Sequence, residues 1–182
     1  MLVHNVAEVL KSPPGAAREI VIDDVVPPFS ASSNFPTPVR GTGRFVRTPE
    51  GIMAQGHVVA ELEFECSRCL KNFPAAVDAA FVEEFRPSVN MVTGEFLPPR
   101  EDEALQIDER HLLDLTETVR QYLVMALPLQ PLCQPNCKGL CPLCGADLNL
   151  GPCPCAGEPP TSPFAELPAL IWEQPLQREP QD

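Results

Sequence analysis

A chain of 182 residues with 44% hydrophobic content suits one domain of ordinary size, or one domain with tails, and can bury a core. Twenty-three prolines argue against a helical bundle. Twenty-five acidic against thirteen basic residues leave a net charge of −12, which disfavours simple electrostatic adhesion to a phosphate backbone or an anionic membrane.

The first residues, Met1 to Lys11, lack the basic region and continuous apolar run of a secretory signal, and no window approaches the length needed to span a bilayer. The expectation is a cytoplasmic protein with no membrane partner. In such a reducing compartment clustered cysteines are metal ligands more often than disulfides.

In chain order, Leu2 to Leu10 and Glu19 to Val26 read as two strands separated by Ser12-Pro13-Pro14-Gly15, and the proline-rich stretch Pro27 to Pro38 reads as a loop. Val39 to Thr48 resumes as a strand. Thr48-Pro49-Glu50-Gly51 carries proline and glycine at the second and fourth places of a type I turn, which returns the chain antiparallel. From His57 to Glu65, Val58, Ala60, Leu62 and Phe64 alternate with Val59, Glu61, Glu63 and Glu65. This two-residue period gives a strand with one face on a core. A second run places Phe73, Ala75, Val77, Ala79, Phe81 and Phe85 on one face, so a long hairpin carries Cys66-Ser67-Arg68-Cys69 at its tip. An ordinary hairpin would turn on Asn-Gly or Gly-x there. Two thiols instead suggest a metal that pins the tip to another segment.

Arg86 to Glu103 is proline-punctuated and without period and reads as a mobile insertion, after which Leu105 to Leu113 adds a short strand. Asp114-Leu115-Thr116-Glu117 has the form of a capping box, and Leu115, Val119, Leu123 and Leu127 give the main helix an apolar stripe. Pro128 ends that helix and hands the chain to six cysteines between Cys133 and Cys155. Beyond them, Ser162-Pro163 could open a short helix carrying Phe164, Leu167, Leu170, Ile171 and Trp172, although Pro168 interrupts it. The expected division is a β-rich core over 1–127 with the knuckle hairpin and main helix, a cysteine-rich metal ribbon over 128–156, and a partly disordered Pro/Glu-rich tail over 157–182.

Eight cysteines divide into two sets of four in either of two ways. One gives Cys66, Cys69, Cys133 and Cys137 to a first ion and Cys141, Cys144, Cys153 and Cys155 to a second. The other joins Cys133, Cys137, Cys141 and Cys144 and leaves Cys153 and Cys155 to the hairpin pair. The first is preferred, because Gly139 can turn the chain between two cages and the loop from Cys144 to Cys153 is ample for closing a ribbon. In Cys141-Pro142-Leu143-Cys144-Gly145, Pro142 sets the turn and Gly145 lets the backbone double back beneath an ion. Thiolates take Zn²⁺ into closed tetrahedral coordination, so two structural zinc ions are expected. Each Cys₄ site carries a formal −2, which takes the total to about −16 and makes a basic partner attractive.

Arg68 and Lys71 beside the knuckle, with Arg40, Arg44 and Arg47 earlier, could still form a local basic patch for RNA phosphates. His4, His57 and His111 are isolated and receive no role. With no phosphate-binding loop, no His-Glu-x-x-His and no Gly-x-Ser-x-Gly, neither an enzyme nor a small-molecule substrate is expected.

Glu65-Cys66-Ser67-Arg68-Cys69-Leu70, the Leu127-Pro128 helix exit, the run from Cys137 through Cys141-Pro142-Leu143-Cys144-Gly145 to Asn149, the Cys153-x-Cys155 close and Pro163-Phe164-Ala165-x-Leu167 together resemble the YceD-type family of bacterial and plastid proteins. The resemblance implies a role in accumulation of the large-subunit (23S) ribosomal RNA, hence in ribosome biogenesis, with that RNA or a pre-ribosomal particle as partner; the acidic charge alone raises a basic ribosomal protein as the other candidate. The fold expected is α+β and β-rich: antiparallel strands in a barrel-like or open sheet, one main helix and a C-terminal zinc ribbon. Two alternatives stand beside a zinc-binding, RNA-binding factor: an acidic chaperone for a basic ribosomal protein, and a rubredoxin-like iron electron carrier.

Overall fold

A computed structural model describes residues 2–28, 37–90, 93–98 and 105–155. The chain divides into two compact units, Met1–Glu65 with Asn72–Pro131, and Cys66–Lys71 with Leu132–Asp182, the described part of the latter ending at Cys155. The knuckle residues thus group with the cysteine-rich ribbon and not with the strands that flank them. The helix considered over 162–172 lies outside the described residues.

The first unit is β-rich. Its elements run β1 (Val3–Asn5), α1 (Ala7–Lys11), β2 (Ala17–Val26), β3 (Thr37–Arg47), β4 (Ile52–Glu65), β5 (Asn72–Pro87), β6 (Gln106–Ile107), β7 (Leu112–Asp114) and α2 (Thr116–Met125). A five-stranded sheet has the order β2-β3-β4-β5-β6, antiparallel except for the parallel β5–β6 pair, and β1 pairs with β7 apart from it. Strand alternation builds the core. Ile22, Val26, Val39, Phe45, Val58, Ala60, Val77, Ala79, Phe81 and Phe85 are all buried, each two or a multiple of two residues from its strand neighbours. Each fully buried large side chain of this kind contributes about 1.5–3 kcal/mol. Helix α2 packs against both β5 and β2, seating Leu115, Val119 and Leu123 in the same core.

Several elements differ from expectation for identifiable reasons. Leu2 to Leu10 is not one strand: after β1 the Asn5 side chain accepts the Ala7 N–H at 3.1 Å, and Val6 at the N-cap, with Val9 and Leu10 in α1, is buried at helical spacing. The hairpin begins five residues earlier than its clean alternation, because β4 starts at Ile52 and pairs with Phe85. At 48–51 the return is closed by Thr48, whose N–H donates to the Gly51 carbonyl and whose hydroxyl accepts the Gly51 N–H, in place of a type I turn bond. The described part of 86–98 is pinned by β5, which continues to Pro87, and by a bridge between Val89 and Phe96. Leu105 to Leu113 divides into β6 and β7 because Asp108 accepts the N–H groups of Arg110 and Leu112, turning the chain through His111 at φ 62°. The capping box forms by half. Asp114 accepts the Thr116 N–H at 2.8 Å, but Glu117 turns outward to Arg120 and Gln121.

Candidate metal centre

The described residues of the second unit offer too little apolar side chain to form a core by themselves, and their geometry is organised around sulfur. Two Cys-x-x-Cys knuckles have the same backbone bonding. In the first, the Leu70 N–H donates to the Cys66 carbonyl and the Cys66 N–H to the Lys71 carbonyl, both at 2.9 Å. In the second, the Gly145 N–H donates to the Cys141 carbonyl at 2.9 Å and the Cys141 N–H to the Ala146 carbonyl at 2.8 Å. Both need a left-handed residue after the second cysteine. Gly145 supplies it at φ 73°, whereas the first knuckle uses Leu70 at φ 58°.

These knuckles each gather a second pair. The sulfurs of Cys66, Cys69, Cys133 and Cys137 lie within 4.8 Å of one another, and so do those of Cys141, Cys144, Cys153 and Cys155. The first sequence partition is therefore the one the coordinates group, and Gly139, at φ 75°, turns the chain between the cages. Tetrahedral zinc with Zn–S near 2.3 Å requires sulfurs about 3.8 Å apart. Cys66 and Cys137 are 3.8 Å apart and Cys69 and Cys133 3.6 Å, so the residues fit a four-thiolate ion of that size. Cys66, Cys69 and Cys137 are buried; in the second cage Cys141 is buried and Cys144 exposed.

The thiols are electrostatically uneven. Backbone amides, that of Cys133 foremost, pull the Cys66 thiol down to about 6. Burial, then the neighbouring thiols, push Cys133 up to about 12. In the second cage the Cys144 and Leu143 amides lower Cys141 to about 7, while the Cys144 thiol, then burial, pushes Cys155 up to about 11. Four sulfurs this close do not all ionise without a cation among them, and a divalent ion removes that conflict.

An outer layer holds the first cage. Arg68 Nη1 donates to the Cys137 carbonyl at 2.8 Å, and Lys71 Nζ lies 2.5 Å from Asp147, whose carboxyl it holds down at about 2. Asn149 Nδ2 donates to the Cys137 sulfur at 3.4 Å, while Asn149 Oδ1 accepts the Lys138 N–H and the Gln134 amide. Asp147 and Asn149 belong to the run that carries the family resemblance, but neither receives a role at the metal site from the sequence. Their signal there is two short polar side chains one residue apart, immediately after the second knuckle.

The structure gives each cation expected on RNA an internal partner. Lys71 and Arg68 are engaged as above. In the first unit Arg47 donates to the carbonyls of Leu10, Thr48 and Gly51, Arg44 meets Gln55 directly across the β3–β4 pair, and Arg40 lies 3.6 Å from Asp23. On the solvent side of β4, Glu61, Glu63 and Glu65 stand exposed in one row with no paired cation among the described residues.

Residues 54–171, more than half of the chain, match the family described as "Large ribosomal RNA subunit accumulation protein YceD". Uncharacterized proteins of Mycobacterium bovis and Mycobacterium tuberculosis are 34% identical over 103 residues, 57% of this chain and 48% of theirs. A Zea mays protein named as a chloroplastic YCED homolog of large ribosomal RNA subunit accumulation is 43% identical over 37 residues, 20% of this chain and 13% of its own. The chain thus spans about half the length of the mycobacterial relatives it matches. No solved structure matches it. No described helix is long and apolar enough to cross a membrane.

Proposed function

The chain belongs to the YceD family of large ribosomal RNA subunit accumulation proteins, and from that premise we propose that it promotes accumulation of that RNA as a zinc-stapled binding factor without catalysis of its own. The observation that carries the reading is the pair of four-sulfur groups, each within 4.8 Å. A closed Cys₄ set leaves no open coordination position for substrate or water, which suits architecture better than hydrolysis. Zinc bound there supplies folding free energy, on the order of 10 kcal/mol per site, to a segment whose described residues form no core of their own. The protein's own residues shape the site: backbone amides, that of Cys133 foremost, stabilise the Cys66 thiolate, and Asn149 and Arg68 orient Cys137.

For the direct partner, the row of Glu61, Glu63 and Glu65 and the net charge of −12 support a basic ribosomal protein, shielded before assembly, over bare RNA. The proposed compartment is the cytoplasm, where thiols remain reduced. Affinity purification at low salt, with metal, RNA and protein content determined on one sample, tests the reading. Two equivalents of zinc with a basic ribosomal protein or a pre-ribosomal particle are expected. Salt-sensitive binding to purified ribosomal RNA alone moves the contact to RNA, and a red, reducible chromophore replaces the zinc staple by a rubredoxin-like iron site.

A further inference from the structure

The two cages are joined by more than chain. Cys137 of the first is followed by Lys138 and Gly139, the chain enters the second knuckle at Cys141, and it returns through Ala146 to Asn149. The outgoing and returning segments pair: Leu140 is bridged to Asp147, and the Leu148 N–H donates to the Gly139 carbonyl at 2.9 Å. At the end of that return, Asn149 places its amide on the Cys137 sulfur and its carbonyl oxygen on the Lys138 N–H. The position of this amide therefore depends on the closure of the second knuckle, although it acts on a ligand of the first.

We propose that Asn149 is a positioning residue that couples the two cages, so that filling the Cys141–Cys144–Cys153–Cys155 set strengthens metal binding at the Cys66–Cys69–Cys133–Cys137 set. Residues that donate to a metal ligand from outside the coordination shell typically change affinity 10- to 100-fold when removed. An N–H···S bond also stabilises thiolate lone pairs against donation, so its loss moves a sulfur-to-metal charge-transfer band to lower energy. The coupling is reciprocal, because linkage between two binding equilibria has one free energy. It rests on the reading that both cages hold metal.

The test uses the full chain, with Zn²⁺ affinity from chelator competition and Co²⁺ spectra as the second readout. Cys144→Ser with Cys155→Ser empties the second cage and is expected to weaken the first roughly tenfold or more, within the usual range of coupling between sites. Asn149→Ala alone weakens the first cage and shifts its charge-transfer band to lower energy. With Asn149→Ala present, emptying the second cage has no further effect. Asn149→Asp keeps an acceptor for Lys138 and Gln134 but replaces the donor to the Cys137 sulfur, and to Asp147 at 2.8 Å, by a carboxylate, so it should weaken the first cage at least as much as Asn149→Ala does. An unchanged first cage after loss of the second, or effects that multiply independently in the combined variant, overturns the proposal. Absence of bound metal in the unaltered protein would instead overturn the reading beneath it.

Discussion

Gly139 and Gly145 separate two costs that are usually measured together. Both are left-handed, at φ 75° and 73°, so alanine at either carries the strain of that conformation, about 1 kcal/mol after the smaller entropy of the unfolded alanine chain is allowed for. Their surroundings differ. A Cβ at Gly145 meets nothing within 4 Å, whereas at Gly139 it would lie 2.9 Å from the Arg68 carbonyl oxygen, a backbone atom. That oxygen also accepts the Leu140 N–H at 3.1 Å, so it cannot retreat without loosening the bond beside Cys137 and Cys141. Overpacking and the strained hydrogen bond add about 2 kcal/mol at Gly139 only. Gly139→Ala should therefore weaken zinc retention roughly thirtyfold more than Gly145→Ala, at about 1.4 kcal/mol per factor of ten. Chelator competition on the two full-length variants measures the ratio directly. Equal losses, or a greater loss at Gly145, would refute the close approach of Gly139 to the first knuckle.

Leu70→Gly should stabilise the first knuckle by up to about 1 kcal/mol, since Leu70 sits at φ 58° where the matching position of the second knuckle is glycine; the gain appears as a higher thermal midpoint. Iodoacetamide should modify the exposed Cys144 before the buried Cys66, Cys69 and Cys137, in an order read by peptide mass spectrometry. Arg47→Ala should cost about 2–3 kcal/mol by leaving the Leu10 and Gly51 carbonyls without their charged donor, against less than about 0.5 kcal/mol for the exposed Arg40→Ala, both from denaturant unfolding. Glu117 has its carboxyl held at about 2 by Arg120, below its ordinary 4.5. A depressed acid contributes stability above its unfolded value and loses it as pH falls through its folded one. Because the pair is partly exposed, Glu117→Gln should lower stability by about 0.5 kcal/mol at pH 7, and the difference should fade between pH 4.5 and 2.

What could be read in the sequence was what repeats. The alternation through Val58, Ala60 and Leu62 matches β4 because a two-residue period needs only one face to be buried, and the cysteines grouped as their spacing suggested because a Cys-x-x-Cys turn has little conformational choice. Val6, Val9 and Leu10 also keep a period, but α1 spans five residues and gives too few turns to distinguish 3.6 from 2. Glu117 failed as a cap for a different reason: Arg120 competes for it three residues on, and an ion pair on the helix surface won over a neutral amide. The role of Asn149 is not legible in sequence because its partner is a sulfur twelve residues away, a contact that exists only once the second knuckle has doubled back.

The same distinction bears on charge. Counting cations suggested a basic patch, but Arg47 and Arg68 spend their guanidinium groups on carbonyls that are remote in sequence and have no counterpart in composition. Arg47 already donates from Nε and Nη1 to the Leu10, Thr48 and Gly51 carbonyls, and Lys71 shares its charge with Asp147 at 2.5 Å, so each offers a phosphate fewer donors than a free side chain would. The row of Glu61, Glu63 and Glu65 has no paired cation among the described residues. The exposed carboxylates of β4 therefore support the proposal of a basic protein partner more than the arginines support one of bare RNA.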